Sequence, residues 1–463
     1  MYIMKKILFT ILAMGLFLNI SGLKGDCANI VYPKSNNVTI NSPRTFFIGS
    51  ENPNKHLTIN GEDVEIHSSG GFWHTVNLNV GENTFIISNE KETQTFKITR
   101  DNTEQQKPVA PVFTAYKTPI VIELKDDNIP LRSTPVDFGI NRLQHLQKGI
   151  KFTAIGEMGD FYKVQLARDD YGWIAKNSAI QTTEKTVKPA KIESFSYSEE
   201  QNKRIFKIKL NQKVPYILFD NDGLDLTIYN VENYPYSKYE YHIPPIGRNF
   251  GFISYYKSDN ELVIEVNNPP QILNSNRPLN GIKITIDPGH GGSEFGAIGC
   301  LGDKEKDINL AISNKLKDKL ENSGAIVYMT RTDDSEVSLS DRVKNSNNEH
   351  SQIFISIHNN ALPDSMADRK ATGSETYYFY PQSRALAKSL LNSITSELSL
   401  KNNGAKQQSF AVVRNTNTPA ALIELGYIIN PEDNAKLMDS DFQDKAAEAI
   451  KHGLENYLND LSK

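Results

Sequence analysis

The sequence predicts a multidomain chain: three small all-β domains followed by a C-terminal α/β domain with a mostly parallel twisted sheet flanked by helices. Three observations predict this. Residues 29–270 hold short runs rich in β-branched and aromatic residues, divided by turn residues, and residues 29–100 show no helical periodicity. From residue 281 onward, strand-like runs alternate with amphipathic helices, the signature of an α/β layer. Polar stretches at Asp101–Phe113, Thr182–Lys191 and Asn267–Pro278 read as linkers between these textures. The length of 463 residues accommodates several domains at ~100–200 residues each.

The first 25 residues stand apart. Lys5 and Lys6 precede the 14-residue, largely apolar run Ile7–Ile20, and the small, polar Ser21–Asp26 follows. This charged, apolar, small order is that of a secretory signal, and the run is short for a membrane span of ~20 residues. Residues 1–25 are therefore expected to be a signal peptide, with an uncleaved anchor as the alternative and the cut left open. The expected location is extracytoplasmic, secreted or periplasmic. Cys27 lacks the apolar and small neighbours of a lipidation site. With Cys300 as the other cysteine, no disulfide framework is visible. The formal net charge of −4 argues against a protein built to hold nucleic acid.

Residues 29–100 read as a small β-sandwich, with Asn60-Gly61 between hairpin-like runs. The pattern resembles bacterial immunoglobulin-like domains. Residues 101–118 are a linker. In residues 119–182, "LRSTP", "GDFYKVQL" and "GWI" resemble the bacterial-type Src-homology-3-like barrel of cell-wall hydrolases, with Tyr162 and Trp173 as its aromatic markers. The resemblance implies binding of wall peptides. Residues 192–270, with "IFKIKL", "LDLTIYNV" and "NELVIEV", are similar in layout to the AMIN domain, a wall-targeting β-sandwich.

Residues 281–463 open with the strand "IKITID". A helix follows with Ile308, Ile312, Leu316 and Leu320 on one face, ending at Gly324. "AIVYMTR", "IFISIH", "SETYYFY", "FAVVR" and "AALIEL" read as further strands. "LSDRVKNSNNE", "RALAKSLLNSITSEL" and two closing segments read as helices.

In open α/β sheets, sites collect at the carboxyl ends of strands. His290 follows the first strand in the turn "PGHGG", His358 ends "IFISIH", Glu424 lies near the end of "AALIEL", and Glu305 opens the first helix. Each has a plain structural reading: a turn residue, a satisfied core histidine, a helix-dipole carboxylate. Glu424 resists one most, because a carboxylate within a doubly buried strand is costly unless paired, protonated or near a metal. Two imidazoles and one carboxylate form a common catalytic zinc set, and the remaining glutamate is then a candidate general base.

The segments "TIDPGHGG", "EKD-x-x-L", "TR-x-D", "L-x-x-R", "SIHNNA", "GSETYYF" and "FAVVRNTNTPAALIELGYIIN" occur in this order from about Lys283 to Leu437. Together they resemble the catalytic domain of zinc-dependent N-acetylmuramoyl-L-alanine amidases. The resemblance implies that His290, Glu305 and His358 bind Zn2+ and that Glu424 is the catalytic carboxylate. The substrate it implies is peptidoglycan, cut between N-acetylmuramic acid and the L-alanine of the stem peptide. Asn403-Gly404 departs from the arginine-glycine common in the family. Arg414, at the end of "FAVVR", is a candidate for meeting a peptide carboxylate. No nucleic-acid partner is expected, and membrane contact only through the leading segment if uncleaved. Competing classes are a zinc peptidase cutting within the stem and a wall-binding protein with a silent catalytic domain.

Overall fold

The computed structural model describes residues 28–101, 111–200, 202–257, 260–366, 371–415 and 417–461. The expected signal segment, Cys27 and residues 102–110 of the first linker lie outside the described residues, and the end of that linker, from Thr114, already belongs to a strand.

N-terminal to residue 281 the chain is β-rich. Asn29–Tyr32, Arg44–Ser50 and Gly71–Asn77 form one antiparallel sheet, packed with a five-stranded sheet whose longest members are Gly81–Asn89 and Thr93–Arg100. Phe47, Phe72, Phe85 and Phe96 fill the space between them. The run from Thr114 to Gln181 forms a seven-stranded sheet. Tyr162 and Trp173 are only partly buried on it. Residues from Ile192 to Asn267 supply a four-stranded and a three-stranded sheet. One continuous apolar core joins these to the seven-stranded sheet, from Ile122 and Phe152 through Phe206 to Ile264.

The C-terminal part alternates strands and helices: β1 (Lys283–Pro288), α1 (Glu305–Asn322), β2 (Ile326–Met329), α2 (Leu339–Asn348), β3 (Ile353–Asn360), β4 (Ser374–Tyr378), α3 (Arg384–Glu397), β5 (Asn402–Gln407), β6 (Ala420–Tyr427), α4 (Pro431–Met438) and α5 (Ser440–Leu461). The sheet order is β2-β1-β3-β6-β4-β5. It is mixed: β6 and β4 run antiparallel, while the other neighbours run parallel.

Two-residue alternation sends the faces of this sheet to different fates. Ile284, Ile286, Ile355, Ile357, Ala421 and Ile423 face α1, α3 and α5. On α1, Ile308, Ile312, Leu316 and Leu320 are all buried, each contributing ~1.5–3 kcal/mol of apolar burial. Gly324 then ends the helix with φ +90°. The opposite face carries Asp287, Phe354, Ser356, His358, Leu422 and Glu424. Its apolar end lies under Val412 and Val413.

"FAVVR" is not a strand. Val412–Arg414 is one turn of 3₁₀ helix, with Val412 and Val413 turned inward and Phe410 exposed. The edge strand lies earlier, at β5, whose polar "NNGAKQ" carries no strand signature.

The β-rich units do not hang from the C-terminal domain on free linkers. Phe46, Ile48 and Trp73 belong to the same buried core as β1, α1 and α5, as does Phe250. Asn267 also donates to the Asn417 carbonyl at 2.7 Å.

Candidate metal centre

The turn after β1 is held from outside. Asp287, 1% exposed, accepts from Thr330 Oγ1 at 2.6 Å, Ser356 Oγ at 2.7 Å and Arg342 at 2.6 Å. Arg342 also donates to the carbonyls of Pro288 and His290, both at 2.8 Å. Arg331 donates to Pro288 O at 3.0 Å and Gly289 O at 2.9 Å. Two buried guanidiniums thus use their fixed donor forks to pin three successive carbonyls. The pinned turn places His290 in the left-handed region, at φ +61°. The adjoining Gly289 does not adopt a positive φ. It is needed for another reason: a Cβ there would run into the His358 ring. A Cβ on Gly296 would likewise meet Glu305 and His290.

These contacts converge on Glu305, the first residue of α1 and 4% exposed. Its Oε2 lies 3.2 Å from His290 Nε2, and its Oε1 lies 3.0 Å from His358 Nδ1. The two imidazole centroids are 4.8 Å apart, nearly edge to face. Backbone donors complete the carboxylate: Ala297 N at 2.9 Å and Asn359 N at 3.1 Å. Asn309 donates at 3.3 Å, and Asn359 in turn donates to Asn309 at 2.8 Å. Burial alone would raise the Glu305 pKa. The bonds and charge of His290 and His358 outweigh it and hold the carboxyl below the usual carboxylate range.

Glu424 is the register partner of His358 across the β3–β6 pairing. Its Oε2 is sealed from solvent and has no hydrogen-bond partner among the described residues. Burial, then the charges of Glu305 and Glu375, push its pKa well above the ordinary value. Glu375, on β4, pairs with Glu424 across the antiparallel strands. Unlike Glu424 it is fully engaged, by Asn360 and Tyr377, each at 2.6 Å, and by Lys406.

His290, Glu305 and His358 offer three ligand atoms within 4.8 Å of one another. Two imidazole nitrogens, a carboxylate already ionised, and an orphaned second carboxylate beside them fit a catalytic zinc set with an open position. The glycine clearances point the same way, since they keep Cβ atoms out of the centre.

Arg414 is not part of this gathering. It donates back to Ser409 and lies within electrostatic reach of Arg142 and Arg132 on the seven-stranded sheet. Conversely, sequence reading gave no roles to Arg331, Arg342, Asn309 or Glu375. The two arginines lie in the quoted "TR-x-D" and "L-x-x-R" segments. An arginine closing an apolar strand was the available signal.

The fold and site define an α/β domain with a partly buried His-Glu-His group suited to a metal ion. Residues 284–456 match the N-acetylmuramoyl-L-alanine amidase family. The chain is 42% identical over 190 residues to the probable cell wall amidase LytH of Staphylococcus epidermidis, covering 41% of this chain and 62% of that protein. It is 39% identical over 184 residues to the uncharacterized protein YqiI of Bacillus subtilis, covering 39% of this chain and 86% of that one. The catalytic domain of CwlV, an amidase from Bacillus (Paenibacillus) polymyxa, aligns at 35% identity and TM-score 0.37, over 38% of this chain and 98% of its own. The chain belongs to the N-acetylmuramoyl-L-alanine amidase family. It spans less than two thirds of the length of the first relative named, at 62%.

Proposed function

We propose that this protein is an extracytoplasmic, zinc-dependent N-acetylmuramoyl-L-alanine amidase that hydrolyses the bond between N-acetylmuramic acid and the L-alanine of the peptidoglycan stem. The observation that carries this reading is the orphaned carboxylate of Glu424 next to the His290–Glu305–His358 group. A residue left so costly in the fold is accounted for by chemistry.

In this reading His290, Glu305 and His358 hold the ion, which when bound supplies Lewis-acid polarisation of the amide carbonyl and acidifies water toward a pKa of ~7. Glu424 ionises once positive charge sits on the triad. It takes one proton of the attacking water as the hydroxyl adds to the lactyl carbonyl carbon. It then delivers that proton to the alanine nitrogen as the C–N bond breaks. Products are a lactyl carboxylic acid and a free amine. Asn309 and Asn359 fix the Glu305 carboxylate, so both imidazoles keep their aim.

We read residues 29–100, 119–182 and 192–270 as immunoglobulin-like, Src-homology-3-like and AMIN-like units that bind the wall polymer. Residues 1–25 are read as the export signal. Among the described residues no helix is long and apolar enough to cross a membrane.

Mass spectrometry of digested sacculi tests the activity. The expected products are free stems beginning with an alanine amino terminus and glycan strands bare of peptide. Cuts confined to bonds within the stem would overturn the reading in favour of a peptidase.

A further inference from the structure

Beside the centre lies a cavity of about 260 Å³, walled by two parts of the chain. One wall is Gly296 and Ala297, the loop that touches Glu305, together with Ala361 and Leu362 just after β3. The other wall comes from the first β unit: Val31, Tyr32, Lys34, Phe46 and Ile48. The two walls are fastened together. Tyr32 Oη donates to Asp364 at 2.8 Å and Thr45 Oγ1 donates to it at 2.6 Å, so Asp364 is spoken for. Lys34 is exposed, its ammonium 4.8 Å from the centre of the Phe295 ring, with no anionic partner among the described residues.

We propose that this cavity is a subsite for the stem peptide beyond the scissile amide, taking its small apolar side chains against Val31 and Phe46 and a free carboxylate at Lys34. The inference rests on the amidase reading and extends it to a specificity element. Three features select this occupant. One wall of the cavity is the loop whose Ala297 amide holds Glu305, which sets the cavity next to the centre. Its size falls below the ~300–1,000 Å³ of pockets that hold whole small molecules, which suits part of a longer ligand, and its mainly apolar lining disfavours a hydroxyl-rich sugar ring. Its only unpaired charge among the described lining residues is positive, complementary to an acidic peptide. The first β unit lies outside residues 284–456, the part shared with the family, so this wall belongs to this chain's own architecture.

The test uses the full-length, zinc-loaded protein and two substrates: N-acetylmuramoyl-L-alanine amide, which ends before the cavity, and an N-acetylmuramoyl tripeptide, which would fill it. Lys34→Glu is expected to raise KM for the tripeptide about tenfold with kcat little changed, and to leave the short substrate unaffected. Val31→Trp, which fills the cavity from its far wall, should do the same. Equal effects on both substrates, or none on either, would overturn the proposal. A parallel calorimetric titration with the free peptide L-Ala-D-isoGlu-L-Lys separates this idea from the amidase reading. Should the wild type cleave neither substrate, the amidase reading fails. Peptide binding that both substitutions abolish would still support the subsite, whereas absence of binding to the wild type would overturn it.

Discussion

Glu375 and Glu424 sit opposite each other on β4 and β6, and only one of them is neutralised. Glu375 has Lys406, Tyr377 and Asn360. Glu424 has an oxygen with no partner among the described residues. An unsatisfied buried polar group costs about 1–3 kcal/mol. Glu424→Met, close in length and apolar, is therefore expected to raise the unfolding free energy of the metal-free protein by about that amount in urea titrations. Glu424→Gln should retain zinc yet lose at least ~10²-fold in turnover, the usual worth of a general base. A Glu424→Gln protein as active as the wild type on sacculi would remove Glu424 from the mechanism.

Metal content follows from the triad. The purified protein is expected to hold on the order of one zinc ion per chain, with three protein ligands in an open site. His290→Ala and His358→Ala should each lower it sharply while circular dichroism stays unchanged. Gly289→Ala should have the same effect without touching a ligand, because its Cβ would displace the His358 ring. Atomic absorption on the dialysed variants reads this directly.

The turn before His290 depends on Arg342. Its partner Asp287 is buried, and removing one member of a buried ion pair costs about 3–5 kcal/mol because the other charge is stranded. Arg342→Ala is expected to lose that much stability. The double variant Arg342→Met/Asp287→Leu should recover a good part of it. Recovery of stability without recovery of zinc binding would separate the two jobs of this arginine, since it also holds the His290 carbonyl.

Stability is expected to depend on pH through His145. Burial, then the charges of Arg142, Arg414 and Arg132, lower its pKa from 6.5 to about 4. The unfolded chain binds the proton first, so stability falls as pH drops below about 6.5 and the loss levels off below about 4. His145→Gln should flatten the fall in Tm across that window. Calorimetric scans of both proteins from neutral pH to pH 4 check it; parallel curves would assign the acid loss elsewhere.

What could be read from sequence was what repeats or offends. The four-residue spacing of Ile308, Ile312, Leu316 and Leu320 announces a helix face, and Glu424 announces itself by interrupting an apolar run. His290, Glu305, His358 and Glu424, named from the sequence, lie together in the fold. What could not be read was long-range or edge structure. Arg331 and Arg342 gain meaning only when their elements are laid beside β1. β5 is an edge strand, hydrogen-bonded along one edge only and with no fully buried residue, so it needs no apolar alternation. Its neighbour "FAVVR" has the right composition for a strand, but its valines pack from a single turn. The left-handed φ of His290 is not legible in sequence, because the glycines on both sides are the residues that ordinarily take such a backbone.

Trp73, from the first β unit, lies in the same buried core as Ile308 and Leu437 of the C-terminal domain. Gly71 lies close against Cys300 and Pro431. Severing the chain at residue 281 would therefore expose a greasy wound on the hydrolase half. Whoever exchanges modules here to retarget the protein must redesign the seam along with the part. By the same token, a load placed on the first β unit passes into the C-terminal domain through a shared apolar core and not through a hinge.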